Sequence, residues 1–461
     1  MASAYLQRSI EAGSNGRTWT YSVWLKLSGV RAGSGANNQV WNCSSDNDSA
    51  HYVEIAIKNT DKLDIQFRKG TTGDNGTYIR RITTRLFRDP NAWYHIVFRM
   101  DTTQASASDR FRLYINGVQE TSFSDSTGTI PQNYQTEIST TNSENRIGRG
   151  AGSSSSYWDG EMAHLHFCDG YSYAPTEFGE TDSTTGIWKP KVSPSVSYGT
   201  NGCFLKFDNS ANMGLDSSGQ SHNFTVSGTI IQTKDTPSNN FATINPLNVP
   251  TSNAPTFANV NTTSTTPAAS GRFGGTSTLG MSAGKYYWEA KYVISGLPRG
   301  EFGVTYDPGE QARNNSTASN YADAWCYQSE GGSIRNNNSN LDTEATYANG
   351  DIVMCALDLT NNKIYFGKNG TWVNSGDPTS GASGTGGYSV TADKTYFTIT
   401  SDNTSGGDQQ TYQFNFGNGY FGTTAVSSAQ NPSDGVGVFE YSVPSGYKAL
   451  CTKSLNAQEY S

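Results

Sequence analysis

Twice in this chain a strand-like run ends in Asp, crosses a polar turn, resumes as a second run and closes on Asn-Gly. The first copy is His95-Ile96-Val97-Phe98-Arg99-Met100-Asp101 followed by Phe111-Arg112-Leu113-Tyr114-Ile115-Asn116-Gly117. The second is Asp351-Ile352-Val353-Met354-Cys355-Ala356-Leu357-Asp358 followed by Lys363-Ile364-Tyr365-Phe366-Gly367-Lys368-Asn369-Gly370. Asn-Gly between apolar, β-rich runs is the strongest short-range hairpin signal, because both residues accept the positive φ of a type I′ turn. Two such units, far apart, predict two separate antiparallel β domains. Sandwiches of this kind hold binding loops at their rims.

The rest of the chain agrees with an all-β reading. No window of a dozen residues keeps apolar positions at helical spacing without Gly or Pro interrupting it. Thr18 to Leu27 alternates, placing Trp19, Tyr21, Val23 and Leu25 on one face and Trp24 on the other. Asp351 to Leu357 is apolar at successive positions, the pattern of a strand covered on both faces. Long loops are expected at 102–109, 121–144, 150–156 and 307–320. With 461 residues and about 150 per domain, two large sandwiches fit the length. The stretch 233–284 is rich in Thr, Ser, Asn, Pro and Gly, yet it carries Phe241, Ile244, Leu247, Phe257 and Phe273. So many large apolar groups predict extended chain packed on the second domain rather than a free tether. The expected division is therefore 1–235, with a core at 3–180 and a connecting segment at 181–235, and 236–461, including the packed segment 236–283.

Charge and cysteine usage narrow the function. The net charge is −8, and only 16% of residues are charged. Nucleic acid is an improbable partner, since phosphate neutralisation needs clustered Lys and Arg. The opening Tyr5-Leu6-Gln7-Arg8-Ser9-Ile10-Glu11 is too polar for a secretory signal, and no run reaches the roughly 20 apolar residues that span a bilayer. The expectation is synthesis in a cytoplasm without membrane insertion. Cys43, Cys168, Cys203, Cys326, Cys355 and Cys451 are far apart with no CxxC pair, which reads as buried thiols.

Several blocks then carry a resemblance. Ser22-Val23-Trp24-Leu25-Lys26, Trp93-Tyr94-His95-Ile96-Val97, Leu113-Tyr114-Ile115-Asn116-Gly117, Arg146-Ile147-Gly148 and Trp158-Asp159-Gly160-Glu161-Met162-Ala163 resemble, in order and spacing, a LamG-type jelly roll over about residues 3–180. Gly284-Lys285-Tyr286-Tyr287-Trp288-Glu289, Phe302-Gly303-Val304, Gly350-Asp351-Ile352-Val353, Phe366-Gly367-Lys368-Asn369-Gly370 and Phe414-Asn415-Phe416-Gly417 resemble a SPRY domain. Both resemblances imply concanavalin A-like antiparallel sandwiches, two in tandem. The segment between them, with Gly186-Ile187-Trp188-Lys189-Pro190 and Asp216-Ser217-Ser218-Gly219, is similar to structural proteins of tailed bacteriophages of aquatic bacteria. That similarity implies a virion component, on a tail fibre or head fibre. Its partners would be other virion proteins and host cell-surface glycans, and a homo-oligomer fits. A decoration or connecting subunit is the alternative, and a polysaccharide depolymerase a third.

A retaining glycosidase needs two carboxylates about 5 Å apart, met on a strand by E-x-D-x-x-E. Glu180-Thr181-Asp182 begins that pattern, but Thr185 stands where the next Glu is required, and Asp342-Thr343-Glu344 has no third member. The expectation is no catalytic residue and no enzyme. His164 and His166 should share a strand face, with Ala163, Leu165 and Phe167 facing the core. No cofactor is expected, although the LamG resemblance leaves a structural Ca²⁺ open near Asp208 and Asp216, with no ligands assigned. Glycan binding wants an aromatic face flanked by hydrogen-bonding groups. Tyr157, Trp158 and Asp159 follow the Gly/Ser loop 149–156 and offer this near a rim, although Trp158 can equally be a core aromatic. In the second domain Trp325 and Tyr327 read as strand core, leaving Arg313, Asn314 and Asp323 to touch a ligand.

Overall fold

Both Asn-Gly pairs close hairpins in the computed structural model, which describes residues 4–11, 13–29, 37–45, 50–70, 77–150, 156–268, 272–403 and 407–459. Asn116 and Gly117 have φ of 49° and 80°, and Asn369 and Gly370 have φ of 48° and 84°. The echo extends to the side chains. Asn116 Oδ1 accepts the His95 N–H at 2.7 Å, and Asn369 Oδ1 accepts the Ile352 N–H at 2.8 Å. Each Asn thus ties its turn to the start of the neighbouring strand. The Asp that ends each first run holds the next turn: Asp101 accepts from Thr103 and Gln104, and Asp358 from Asn361.

The chain divides into two compact units, Met1–Gln232 and Thr233–Ser461, against an expected boundary at 235/236. In the first unit the strands are β1 (Tyr5–Ser9), β2 (Thr18–Leu27), β3 (Asn38–Ser44), β4 (His51–Ile57), β5 (Lys62–Lys69), β6 (Thr77–Leu86), β7 (Trp93–Asp101), β8 (Phe111–Ile115), β9 (Val118–Glu120), β10 (Phe123–Asp125), β11 (Glu144–Ile147), β12 (Gly160–Asp169), β13 (Gly179–Thr181), β14 (Trp188–Pro190), β15 (Cys203–Leu205) and β16 (Thr225–Ser227). Among the described residues they form an eight-stranded sheet, β10-β6-β5-β4-β3-β11-β1-β16, and a six-stranded sheet, β15-β12-β2-β7-β8-β9. All the pairings in both are antiparallel. The core lies between them: Trp19, Tyr21, Val23 and Leu25 of β2 meet Trp41, Val53, Ile55, Ile65 and Phe67 of the larger sheet. Trp24 faces the other way, as its alternation requires, and packs with Trp93 and Ala163.

The second unit repeats the plan with a nine-stranded and a six-stranded sheet among the described residues. Its central strand Ile352–Asp358 is covered on both faces. Val353, Cys355 and Leu357 join the main core, while Met354 and Ala356 meet a second cluster with Phe439, Tyr447 and Cys451. The segment after residue 233 packs as strands rather than plain extended chain, supplying Thr256–Ala258, Thr263–Thr265 and Phe273–Thr276. Phe241, Ile244 and Phe273 are buried, whereas Leu247 is 55% exposed. Within the loop 307–320 lies a short helix, Pro308–Asn314, capped where Asp307 accepts the Glu310 N–H at 2.9 Å. All six cysteines are buried and free. No helix among the described residues is long and apolar enough to cross a membrane.

Candidate functional site

The first rim triplet is separated by strand alternation. Residues 151–155 of the preceding Gly/Ser loop lie outside the described residues. Tyr157 bridges to Arg149 and turns outward, half-buried, with its ring 6.3 Å from that of Tyr5. The Arg149 guanidinium lies 4.7 Å from the Tyr5 ring centroid, a cation–π distance. Trp158 turns inward. It packs against the sandwich core and, with Leu27, Ile57, Phe87 and Tyr94, lines an apolar hollow. Its indole N–H is buried without a hydrogen-bond partner among the described residues. Asp159 is held through its backbone, donating to Asn38 Oδ1 at 2.6 Å and accepting from Asn38 Nδ2 at 3.1 Å. Of the three, Tyr157 alone joins an outward-facing aromatic cluster.

That cluster borders a surface that no local sequence motif marks. Core-facing residues on β4 and β5 are Val53, Ile55, Ile57, Leu63, Ile65 and Phe67, so the alternate residues form the outer face of the eight-stranded sheet. The strand registers align Gln7, Arg146, Asn42, Glu54, Gln66 and Arg80 in one row across β1, β11, β3, β4, β5 and β6. At the β5–β6 end the polar groups satisfy one another. Arg80 makes paired hydrogen bonds to Asp64 at 3.0 and 2.7 Å, Gln66 donates to Asp64 at 2.9 Å, and Tyr52 donates to Gln66 at 2.9 Å. Tyr52 and Tyr78 flank this end. Arg146, 2% exposed, donates to Ser44 at 3.0 Å and to Glu144. Burial is the main cause that pushes the Glu54 carboxyl above its ordinary pKa, opposed by Lys58 at 3.4 Å. Asn42 between them is fully buried, and neither its Nδ2 nor its Oδ1 has a partner among the described residues. Leaving a buried polar group unpaired costs about 1–3 kcal/mol, so this amide stands out from the satisfied row around it. The signal was present as alternation in Tyr52-Val53-Glu54-Ile55 and Leu63-Asp64-Ile65-Gln66-Phe67-Arg68. What the sequence lacked was the register that sets these residues side by side.

The outer face of the six-stranded sheet is chemically different. A register shift on β12 between Ala163 and His166, with His164 at φ 45°, turns the strand within this stretch. His164 and His166 nonetheless lie against one ring, Phe204, at 6.0 and 3.9 Å, and it is the expected core-facing placement of Ala163 that fails. Leu165 and Phe167 enter the core, but Ala163 packs outward against Trp24 and Trp93. His166 is 1% exposed, stacked on Phe204 at 3.9 Å, with Nδ1 3.0 Å from the Tyr198 hydroxyl. His95 lies between Trp24 at 4.6 Å and Trp188 at 6.0 Å. Its Nδ1 accepts from the Trp188 indole at 3.0 Å and its Nε2 lies 2.8 Å from Ser22 Oγ, which suits neutral imidazole protonated at Nε2. Burial lowers its pKa to about 3.

The remaining candidates do not converge. Glu180 and Asp182 both approach Lys189, at 3.7 and 2.8 Å, across the β13–β14 hairpin. Asp342 accepts from Tyr388 at 3.1 Å. Asp216, 8% exposed, accepts from the backbone of Phe204, Ser218 and His222 at 2.8–2.9 Å, which accounts for it as a turn anchor. No group of three or more His, Cys, Asp or Glu among the described residues is arranged to hold a metal ion. In the second unit Arg313 and Asn314 are exposed at the end of the short helix. Asp323, expected to face a ligand, is instead 5% exposed and accepts from Thr305 at 2.6 Å and Gln311 at 3.0 Å. It braces the loop from beneath, because Tyr321–Ala324 folds back onto the strand Gly300–Thr305. Trp325 and Tyr327 lie in the core.

The comparisons with known proteins follow this division. Residues 2–177 match the family described as the concanavalin A-like lectin/glucanases superfamily, and residues 285–419 match the SPRY domain. Among solved structures, the SPRY domain of human HERC1 is 19% identical, covering 33% of this chain and 87% of its own, at a TM-score of 0.25. A heptameric SAP-like pentraxin from Limulus polyphemus is 16% identical, covering 38% and 72%, at 0.25. Domain 4 of AbnA, a GH43 extracellular arabinanase from Geobacillus stearothermophilus in complex with arabinotriose, is 14% identical, covering 34% and 63%, at 0.25. The chain thus joins a LamG-like, concanavalin A-like domain at residues 2–177 to a SPRY domain at residues 285–419.

Proposed function

We propose that this chain is a non-enzymatic virion protein of a tailed bacteriophage, carried on a tail or head fibre, whose first domain holds host-surface glycans. The observation that carries the glycan part is the outward pair Tyr5 and Tyr157 with Arg149 against it. Aromatic faces take the C–H surface of a pyranose, and a neighbouring guanidinium supplies donors to its hydroxyls. The lectin/glucanase description of the matching family supports the same reading. The absence of a catalytic role is inferred from the acidic pairs named above, which are engaged with Lys189 and Tyr388.

A second reading, a connecting or decoration subunit, is favoured by the apolar groups of the connecting segment. Ile187 and Val192 are 52% and 83% exposed. Virions assembled without this protein separate the two. Intact particles that fail to adsorb support adhesion, whereas failed assembly supports the connecting role.

A further inference from the structure

We propose that the first domain holds a second glycan subsite, at the end of the sandwich away from Tyr5 and Tyr157, and that this subsite receives a saccharide carrying a carboxylate. The proposal rests on the glycan-binding reading and adds to it a place and a chemical class. Tyr157 precedes β12 and Tyr171 follows it, so the ten residues of that strand set the two sites about 30 Å apart. Gly170, at φ 87°, turns the chain after β12 and sends Tyr171-Ser172-Tyr173 across the outer face of β2. Thr20 clamps the segment there. Its hydroxyl donates to the Tyr171 carbonyl at 2.8 Å and accepts the Tyr173 N–H at 2.7 Å. The Tyr171 and Tyr173 rings stack with centroids 5.6 Å apart, and the Tyr173 hydroxyl accepts the Ser197 N–H at 2.9 Å. Tyr173 is thereby fixed, and Tyr171, stacked on it, is still 42% exposed.

Arg99 supplies the charge. It lies opposite Thr20 across the β2–β7 pairing, on the outer face because Phe98 and Met100 enter the core. Ser172 Oγ accepts its Nε–H at 2.7 Å, which holds the guanidinium beside the tyrosine segment. Its two terminal nitrogens have no hydrogen-bond partner among the described residues, and the side chain is half-buried and open to solvent. The register also sets Arg112 directly opposite Arg99, and like charges so placed repel. Asp109 answers Arg112 at 2.8 Å, while Asp101, the next outward residue on β7, accepts from Thr103 and Gln104 at 2.6 Å each. Arg99 makes no ion pair among the described residues, so this face keeps an unanswered guanidinium. A planar guanidinium with both terminal nitrogens free matches the two oxygens of a carboxylate, whereas a hydroxyl leaves its charge unmatched. With the Tyr171 ring to take the C–H face of a pyranose, the pair selects an acidic sugar.

Electrophoresis of the full chain through native gels containing polygalacturonate, alginate, mannan, dextran or dextran sulfate tests this. The variants are Arg99→Gln, Tyr171→Ala, Arg112→Gln and Tyr157→Ala. The expected result is retardation of the parent chain by at least one of the two carboxylated polysaccharides. The apparent affinity should be at least tenfold weaker in Arg99→Gln and Tyr171→Ala, and within twofold of the parent in Arg112→Gln. Tyr171→Ala removes an exposed side chain, so its melting temperature should match the parent's; a lowered one makes the ring structural and overturns the proposal. Arg99→Gln and Tyr171→Ala binding like the parent, or Arg112→Gln losing as much as Arg99→Gln, also overturns it. If Tyr157→Ala alone loses retardation, this subsite is wrong and the glycan-binding reading survives. Retardation by mannan or dextran but by neither carboxylated polymer has the same meaning, and retardation by dextran sulfate alone overturns the carboxylate assignment. If no polysaccharide retards the parent chain, the glycan-binding reading fails and the subsite with it.

Discussion

Raising the pH should loosen the second unit at one identifiable carboxyl. Glu289 is fully buried on the strand Lys285–Ser295 and accepts the N–H groups of Glu440 and Tyr441 at 2.9 Å each, with the Tyr287 hydroxyl at 2.7 Å. Burial raises its pKa from 4.5 to about 7, against the lowering effect of these donors. A proton retained by the carboxyl can be shared with the Tyr287 oxygen, whose own phenol is held well above its ordinary pKa. Because the folded pKa is raised, the native state keeps a proton that the unfolded chain has released. Stability is therefore greatest below about pH 4.5 for this group and falls as the pH rises towards about 7, beyond which its contribution is constant. A shift of roughly 2.5 units at about 1.36 kcal/mol each amounts to about 3 kcal/mol. Denaturant titrations of the full chain from pH 4 to 8, read by hydrogen exchange in peptides covering 436–441, measure the slope. Glu289→Gln should flatten it relative to the parent, whatever its effect on absolute stability. Identical pH slopes in parent and variant would refute the reasoning.

Three shorter expectations follow from the geometry. Asp216→Ala leaves the amides of Phe204, Ser218 and His222 without an acceptor. Only the Phe204 bond is buried, the other two being part-buried, so at about 1–3 kcal/mol for an unpaired buried group the first unit should lose at least about 1 kcal/mol, measured by exchange in its peptides; no loss contradicts this. Since those donors account for the Asp216 carboxylate, EGTA should leave the melting temperature of the first unit unchanged, and a clear drop would establish a cation site. Gly117→Ala and Gly446→Ala impose the same backbone strain, at φ of 80° and 85°, worth about 1–2 kcal/mol. A Cβ at 117 would also stand 2.9 Å from the Trp188 ring, whereas nothing lies within 4 Å at 446. Thermal unfolding should show the larger destabilisation at 117, and equal effects would mean that Trp188 yields freely.

Much of the architecture could be read locally because it is written with a period of two. The Asn-Gly turns, the split of Trp19, Tyr21, Val23 and Leu25 from Trp24, and the two-faced burial of Ile352–Asp358 depend on neighbours in sequence. The helix Pro308–Asn314 lies where a loop was expected, although Asp307-Pro308-Gly309-Glu310 carries a start signal, a capping residue followed by Pro at the first helical position. Its seven residues are too few for periodicity to reveal. The bulge at His164 was not legible, since one extra residue there inverts the face of everything before it and nothing in Ala163-His164-Leu165 marks it. Asp323 was misplaced because its partners, Thr305 and Gln311, become neighbours only when the loop folds back. The row through Asn42 was hidden for the same reason, assembled from strands far apart in the chain.

The central claim is attachment to a host surface through the first domain, and adsorption competition tests it most directly. Virions are mixed with host cells in the presence of rising concentrations of the purified full chain or of its Tyr157→Ala variant, and unadsorbed particles are counted. The parent chain should leave progressively more particles unadsorbed, and the variant should compete at least tenfold less well. Undiminished adsorption at saturating parent protein would contradict it.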